Sequence, residues 1–147
     1  MISSRFTVAV HILALVHINN GNVTSDYIAA SVNTNPAVIR RIMSMLSKSG
    51  LIASHPGVIG INLQKPISAI TLLDVYRAVE LPETKELFTV HQNTNVQCMV
   101  GKEIQQALET PLTEAQRQME QALAHTSIES VVADILHRHN NEAGSPS

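Results

Sequence analysis

Basic, hydroxyl and small side chains recur between positions 37 and 48 at spacings of three and four residues, with no acidic residue among them. Residues at these spacings lie on one face of an α-helix. Arginine donates paired hydrogen bonds to guanine, and arginine and lysine neutralise phosphates, so this face suits the major groove of duplex DNA. An ordinary solvated helix surface is the alternative. We call the set the basic stripe: Ala37, Arg40, Arg41, Ser44, Ser47 and Lys48.

The distribution of charge along the chain favours an anionic partner. Residues 1–70 hold five basic residues and one acidic residue, a net charge of +4, whereas the rest hold five and eleven, a net charge of −6. Together these give the net charge of −2 of the whole chain. A basic half joined to an acidic half directs phosphate attraction to the basic half.

Two helices are predicted before the stripe. The first begins at Ser3 or Ser4 and ends near residue 18, and it is apolar around most of its circumference, which predicts burial on most sides. A loop follows, then a short strand at residues 23–24 and a helix capped by Ser25 that ends near residue 32.

The stripe itself falls on a third predicted helix. Asn35 is suited to be its N-cap and Pro36 its first residue, where the missing N–H of proline costs nothing. The helix runs to about Ser49, before Gly50. Its opposite side is predicted to be apolar and consists of Val38, Ile39, Ile42, Met43, Met45 and Leu46.

Two strands are predicted after the third helix, at residues 51–54 and 59–63, around His55, Pro56 and Gly57. The order of three helices followed by a hairpin is that of a winged helix. The predicted fold class is therefore mainly α with a small β-hairpin wing, a winged helix-turn-helix DNA-binding domain followed by C-terminal dimerisation helices.

The second half is predicted to be helical. Capping-box patterns begin at Thr71, Thr113 and Thr126, and a further helix spans about residues 96–108. Pro111 either starts a new helix or kinks a continuous one, and the spacing leaves both open. The predicted organisation is a DNA-binding domain at 1–80, a loop at 81–95, a helical dimerisation and possible sensing region at 96–140, and a disordered tail at 141–147.

Five motifs together resemble the Rrf2 family of bacterial regulators, over roughly residues 3–136, and specifically its YwnA-like branch without a metal cluster. They are Ile28-Ala29-Ala30, Val38-Ile39-Arg40-Arg41-Ile42-Met43, Lys48-Ser49-Gly50-Leu51-Ile52, Ile70-Thr71-Leu72-Leu73-Asp74-Val75, and Cys98-Met99-Val100-Gly101 followed by Ile104 and Leu108. The resemblance implies a dimeric winged-helix repressor with its third helix in the major groove of a palindromic operator and its wing in the minor groove. The resemblance implies that Arg40 and Arg41 contact the major groove.

The chain departs from the family pattern in two places. The wing has Pro56 to Ile61 where an arginine, glycines and a tyrosine are common, so wing contacts are expected to be weak or made by backbone and His55. The cluster-binding members supply three closely spaced cysteines, whereas this chain has only Cys98. Since an iron–sulfur cluster takes about four protein ligands, no cluster and no other cofactor is expected.

The candidate residues fall into three roles. Cys98 is a possible redox sensor, because a thiol at a helix N-terminus is favoured as a thiolate, although packing is the simpler role for a lone cysteine. The dimerisation candidates are Val100, Ile104, Leu108, Met119 and Leu123. The DNA-binding candidates are Arg5, Ser25, Thr34, Asn35, Ala37, Arg40, Arg41, Ser44, Lys48, His55 and Gly57.

Other classes of protein find little support in the sequence. No phosphate loop, catalytic triad signature or HExxH helix is present, so the chain is not expected to be an enzyme. The histidines lack ligand spacing for a metal, no apolar run spans a bilayer, and one cysteine excludes an internal disulfide, which together predict a cytoplasmic protein. The alternatives are a winged helix that binds an acidic protein, and a regulator that responds to a small ligand or a protein partner instead of through Cys98.

Overall fold

The computed structural model describes residues 3–55, 59–80 and 92–143. It is mostly helical with one two-stranded antiparallel sheet, in which Ile52 pairs with Leu63 and Ala53 with Asn62. This confirms the predicted fold class as far as a mainly α chain with a small β wing. The elements are α1 Ser4–Ile18, α2 Ser25–Val32, α3 Pro36–Lys48, β1 Ile52–Ala53, β2 Asn62–Leu63, a short 3-10 helix Ile67–Ala69, α4 Leu72–Val79, α5 Met99–Ala124 and α6 Ile128–Ala143.

The first three helices begin at side-chain caps. The Ser3 side chain accepts from the Arg5 N–H, and Asn35 caps α3 with Pro36 as the first helical residue, as predicted. The cap of α2 is Thr24 rather than Ser25, because the Thr24 hydroxyl accepts from the Tyr27 N–H. The short strand predicted at 23–24 was wrong: Val23 is buried outside any strand, and Thr24 serves the helix.

The core lies where α1 packs against α2, α3 and α4. Ile12 and Leu13 of α1 are fully buried, and Ile39 and Leu46 bring the inner face of α3 against them. On average, burying such a side chain contributes about 1.5–3 kcal/mol, so this cluster fixes α3 firmly while its outer face stays in solvent.

The helix after residue 96 is longer than predicted. It begins at Met99 rather than Val96 and runs without a break to Ala124, with Pro111 inside it. The helix start predicted at Thr113 was therefore wrong, and of the two alternatives for Pro111 a position within a continuous helix is the one observed. A proline there removes one backbone donor, which flanking turns of a long helix can outweigh.

The last helix is attached to the first half of the chain. Ser127, one residue after the predicted cap Thr126, accepts from the Ser130 N–H at 3.1 Å. The backbone of this turn pairs with the start of α4, since Leu72 N–H donates to Thr126 and Ile128 N–H donates to Ile70, both at 2.8 Å.

Two residues of α6, Ile128 and Val132, join the core of the first half and are 0% and 3% exposed. The helix continues to Ala143, so the first three residues of the predicted disordered tail, 141–143, are helical. Residues 144–147 and most of the predicted loop, residues 81–91, lie outside the described residues.

Candidate nucleic-acid interface

Helix α3 separates its apolar and polar sides clearly. Ile39, Ile42 and Leu46 are buried, whereas every member of the basic stripe is exposed. Val38, predicted on the apolar side, is 38% exposed and lies at the boundary between the two sides. The packing of the inner side therefore holds the stripe outward in one orientation.

The turn before α3 is fixed by its own backbone and side-chain bonds. Asn33 adopts a left-handed conformation with φ of 65°, and the Thr34 N–H donates to Ala29 at 2.9 Å. The Asn35 side-chain oxygen accepts from the Val38 N–H at 3.0 Å. Two predicted contact residues, Thr34 and Asn35, thus form the tight turn that sets the angle of α3.

The cations of the stripe carry no acidic partner within the described residues. The ion pairs found there join Arg5 to Glu80, Arg117 to Glu114, and Arg138 to Asp134. Arg40, Arg41 and Lys48 are absent from all three pairs and are exposed to solvent. This face therefore presents uncompensated positive charge, which is the electrostatic requirement for binding phosphates.

A groove of about 420 Å³ runs between α3 and the base of the wing. It contains four of the DNA-binding candidates: Ser25, Arg40, Ser44 and Lys48. Met43 and Ile52 form its apolar part, and Ser47 and Ser54 add hydroxyl groups. Ser54 was missed by the sequence reasoning, although a polar residue directly after a wing strand is a signal that could have found it.

A second groove, of about 450 Å³, continues the first toward the wing. Ser25, Met43 and Ser54 line both grooves, so the two form one surface. The second groove also contains His55, a predicted contact, which is exposed. Gly57, another predicted contact, lies outside the described residues, and Ala37 and Arg41 lie on the exposed face of α3 without lining either groove.

Arg5, another predicted DNA contact, lies outside the two grooves and is bonded to other residues. Its guanidinium lies 3.8 Å from the Glu80 carboxylate and donates to the Ser3 hydroxyl at 3.1 Å. Ser3 in turn donates to Glu80 through both its backbone N–H and its hydroxyl. These bonds tie the start of α1 to the end of α4, and Arg5 lines neither groove.

The candidates in α5 lie on a helix of which no residue is buried. Val100 is 60% and Leu108 is 37% exposed. Ile104, Met119 and Leu123 are half-buried. The C-terminal part of α5 lies against α4. Tyr76 of α4 has a pKa above its ordinary value, mainly because it is buried and also because the carboxylates of Glu120 and Glu80 are near.

Cys98 is the N-cap residue of α5 and is exposed, so it is not the buried packing residue that a lone cysteine often is. It makes no side-chain capping hydrogen bond of normal geometry. The backbone N–H groups of Gly101, first, and of Val100 lower the pKa of the Cys98 thiol below its ordinary value.

A helix-turn-helix whose second helix presents unpaired cations, followed by a two-stranded wing, defines a winged-helix DNA-binding protein. A sequence model of the family described as "Rrf2: Iron-dependent Transcriptional regulator" matches residues 2–134. The chain belongs to the Rrf2 family and is a DNA-binding transcriptional regulator.

Individual relatives agree with this assignment. The chain is 48% identical over 132 residues to the "Putative HTH-type transcriptional regulator YwnA" of Bacillus subtilis (strain 168), covering 90% of this chain and 97% of YwnA. A crystal structure described as "a putative DNA binding protein" has a TM-score of 0.72 and 42% identity, covering 87% of this chain and 98% of that one. CymR, described as the global cysteine regulator of B. subtilis, shares the fold, with a TM-score of 0.65, 20% identity and coverage of 90% and 96%.

The family description names iron, and the donor set of this chain does not fit an iron cluster. Such clusters take about four protein ligands, mostly thiolates, and the chain has one cysteine. Within the described residues no three His, Cys, Asp or Glu side chains are grouped to hold a metal ion. Among the same residues, no helix is long and apolar enough to cross a membrane.

Proposed function

We propose that this regulator is a cytoplasmic homodimeric repressor that binds a palindromic operator through α3, with residues 1–80 contacting DNA and 96–140 joining the two copies. The observation that carries the proposal is the basic stripe on the outer face of a helix whose inner residues Ile39, Ile42 and Leu46 are buried; its cations have no acidic partner in the described part of the chain. A rigid helix of this width fits the major groove.

The residues of the first groove support different DNA contacts at the two ends of α3, with bases at its N-terminal part and with phosphate at its C-terminal end. Arg40 and Arg41 stand one turn after the N-terminus, the part of a recognition helix that meets base edges. Lys48 stands at the last residue of α3, beside the hydroxyls of Ser44 and Ser54 in the groove. Hydroxyls and a lysine ammonium are suited to one backbone phosphate, which would fix the register of the helix without reading sequence.

Arginine substitutions test this proposal. The probe is the duplex enriched from a random library by the wild-type protein, and Arg40→Ala and Arg41→Ala are compared with it by equilibrium binding. A bidentate base contact predicts a loss of about 1–3 kcal/mol, and a phosphate contact predicts a smaller loss shared by all sequences.

Arg138→Ala is the matched control, because Arg138 is exposed on α6 and pairs with Asp134. It should leave DNA affinity unchanged. Full affinity in both stripe variants would remove α3 from the interface. Failure of the library to enrich any duplex would favour the alternative in which the stripe binds an acidic protein.

The homodimer is supported by the exposed apolar surface of α5. A helix of 26 residues is about 39 Å long, and this one has no buried residue within the protomer. Val100, Ile104 and Leu108 follow one another at four-residue spacing on one side. A second copy would remove this surface from water, and a two-fold pair presents two recognition helices to two half-sites.

A thiol response is supported by the position of Cys98. The side chain is exposed, its pKa is lowered by the Gly101 and Val100 amides, and it lies on the turn that starts α5. Oxidation by peroxide to a sulfenic acid, or exchange with a disulfide reagent, would add polarity and bulk beside the proposed dimer helix. A shift there would change the spacing of the two recognition helices and release DNA.

A further inference from the structure

The wing of this protein lacks permanent charge. Residues 49–64 include no lysine, arginine, aspartate or glutamate, and His55 is the one titratable group in the segment. A wing without a fixed cation releases few counterions from DNA. If it contributes to binding, it does so mainly through contacts that salt does not screen.

Ile59 stands out on this uncharged wing. Its side chain is 87% exposed, more than any other large apolar side chain in the described part of the chain. It lines the second groove, which shares Ser25, Met43 and Ser54 with the groove that contains Arg40. Ile59 therefore belongs to the same surface as the recognition helix.

The backbone next to Ile59 is anchored. The Ile61 side chain is 3% exposed, and the Ile61 N–H donates to the Gly21 carbonyl in the α1–α2 turn at 3.0 Å. A Cβ on Gly21 would lie 2.6 Å from the Ile61 carbonyl oxygen, and one on Gly60 would lie 3.1 Å from the Gly21 oxygen. These two glycines allow direct backbone contact, which holds Gly60 and Ile61 against the α1–α2 turn.

We propose that Ile59 is an apolar DNA-contact residue that packs against the sugars and base edges of the minor groove beside the major groove occupied by α3. This inference rests on the proposed DNA binding by α3. Isoleucine is among the side chains that proteins insert at minor-groove base steps. Such a contact fits the uncharged wing, because its energy comes from removing apolar surface from water rather than from neutralising phosphates.

Ile59→Ala and Ile59→Lys test the proposal on the duplex enriched by the wild-type protein. Removing the apolar side chain should weaken binding about tenfold, with an unchanged slope of log affinity against log salt. Lysine should make that slope steeper by roughly 0.9 for each ammonium that reaches a phosphate. Since Ile59 is exposed, neither variant should change thermal unfolding.

Ile18→Ala is the matched control, because Ile18 is an exposed isoleucine that lines neither groove, and its affinity should equal that of the wild type. Replacing flanking G·C pairs by inosine·C removes the minor-groove amino group and leaves the major groove unaltered. The wild type should bind the inosine flanks more tightly, and Ile59→Ala should lose part of that preference.

Wild-type affinity in Ile59→Ala, or equal wild-type binding to both flanks, would overturn the inference. These results can be told apart from a failure of the proposed function, because the Arg40→Ala variant tests DNA binding by α3 on the same duplex. A loss in Arg40→Ala together with no change in Ile59→Ala would retain α3 as the reader and exclude the wing contact.

Discussion

Arg5 and Arg40 show how neighbouring side chains decide whether a cation is free to bind a phosphate. Both lie in the basic half of the chain, and both were predicted to contact DNA. Arg5 pairs with Glu80, whose side chain is 5% exposed, and this pairing secures the N-terminus of α1. Arg40 has no acidic partner in the described part of the chain and lines an open groove. Residue type alone could not separate these two situations.

The lowered pKa of Cys98 predicts how the reactivity of its thiol depends on pH. Because amides of Gly101 and Val100 lower its pKa, its alkylation by iodoacetamide should reach half-maximal rate at lower pH in the folded protein than in the same protein unfolded in urea. The unfolded chain is the control, since it contains the same single thiol without the helix. Equal pH profiles would show that the start of α5 does not activate the thiol.

The functional consequence is tested separately. Mild peroxide or a disulfide reagent should lower DNA affinity in the wild type and leave Cys98→Ser unaffected, because the variant lacks the sulfur that reacts. Gel-shift or anisotropy titrations before and after treatment measure this difference. The same response in both proteins would leave Cys98 as a cap residue without a role in sensing.

Among the elements, α6 links the two halves of the chain. Ile128 is fully buried in the core shared with α1, whereas Ile135 on the same helix is 43% exposed. Ile128→Ala should therefore lower the free energy of unfolding by about 2–5 kcal/mol, and Ile135→Ala by much less. Chemical denaturation at a fixed protein concentration measures both. Equal losses would contradict the attachment of α6 to the first half.

Of the helix starts predicted from local signals, some are observed as predicted, whereas the cap at Ser25 and the start at Thr113 were wrong. The Asn35-Pro36 helix start and the Thr71–Asp74 capping box are both observed, because each depends on bonds within one turn. Pro111 could not be placed this way, since whether a proline interrupts a helix depends on the packing of its neighbours. The same holds for the contact of Gly21 with Ile61, which joins residues far apart in sequence.

At the scale of the whole molecule, the exposed apolar side of α5 predicts that two protomers form a dimer. Ile104→Asp should place a charge in the proposed interface and convert the dimer to a monomer, as measured by sedimentation equilibrium. Gln106→Asp is the control, because residue 106 is exposed and lies on a different side of α5 from Ile104. A dimer that persists in Ile104→Asp would move the interface away from α5.

The most direct test of DNA recognition by α3 is the salt dependence of binding to the enriched duplex. Arg40, Arg41 and Lys48 supply three unpaired cations per protomer in the described residues, and hence six per dimer. If all reach phosphates, the slope of log affinity against log salt should be about −5, and an Arg40→Ala/Arg41→Ala double variant should lose roughly 3 to 4 units of that slope. A wild-type slope near zero, or a double variant that keeps both the slope and the affinity of the wild type, would contradict DNA recognition through this helix.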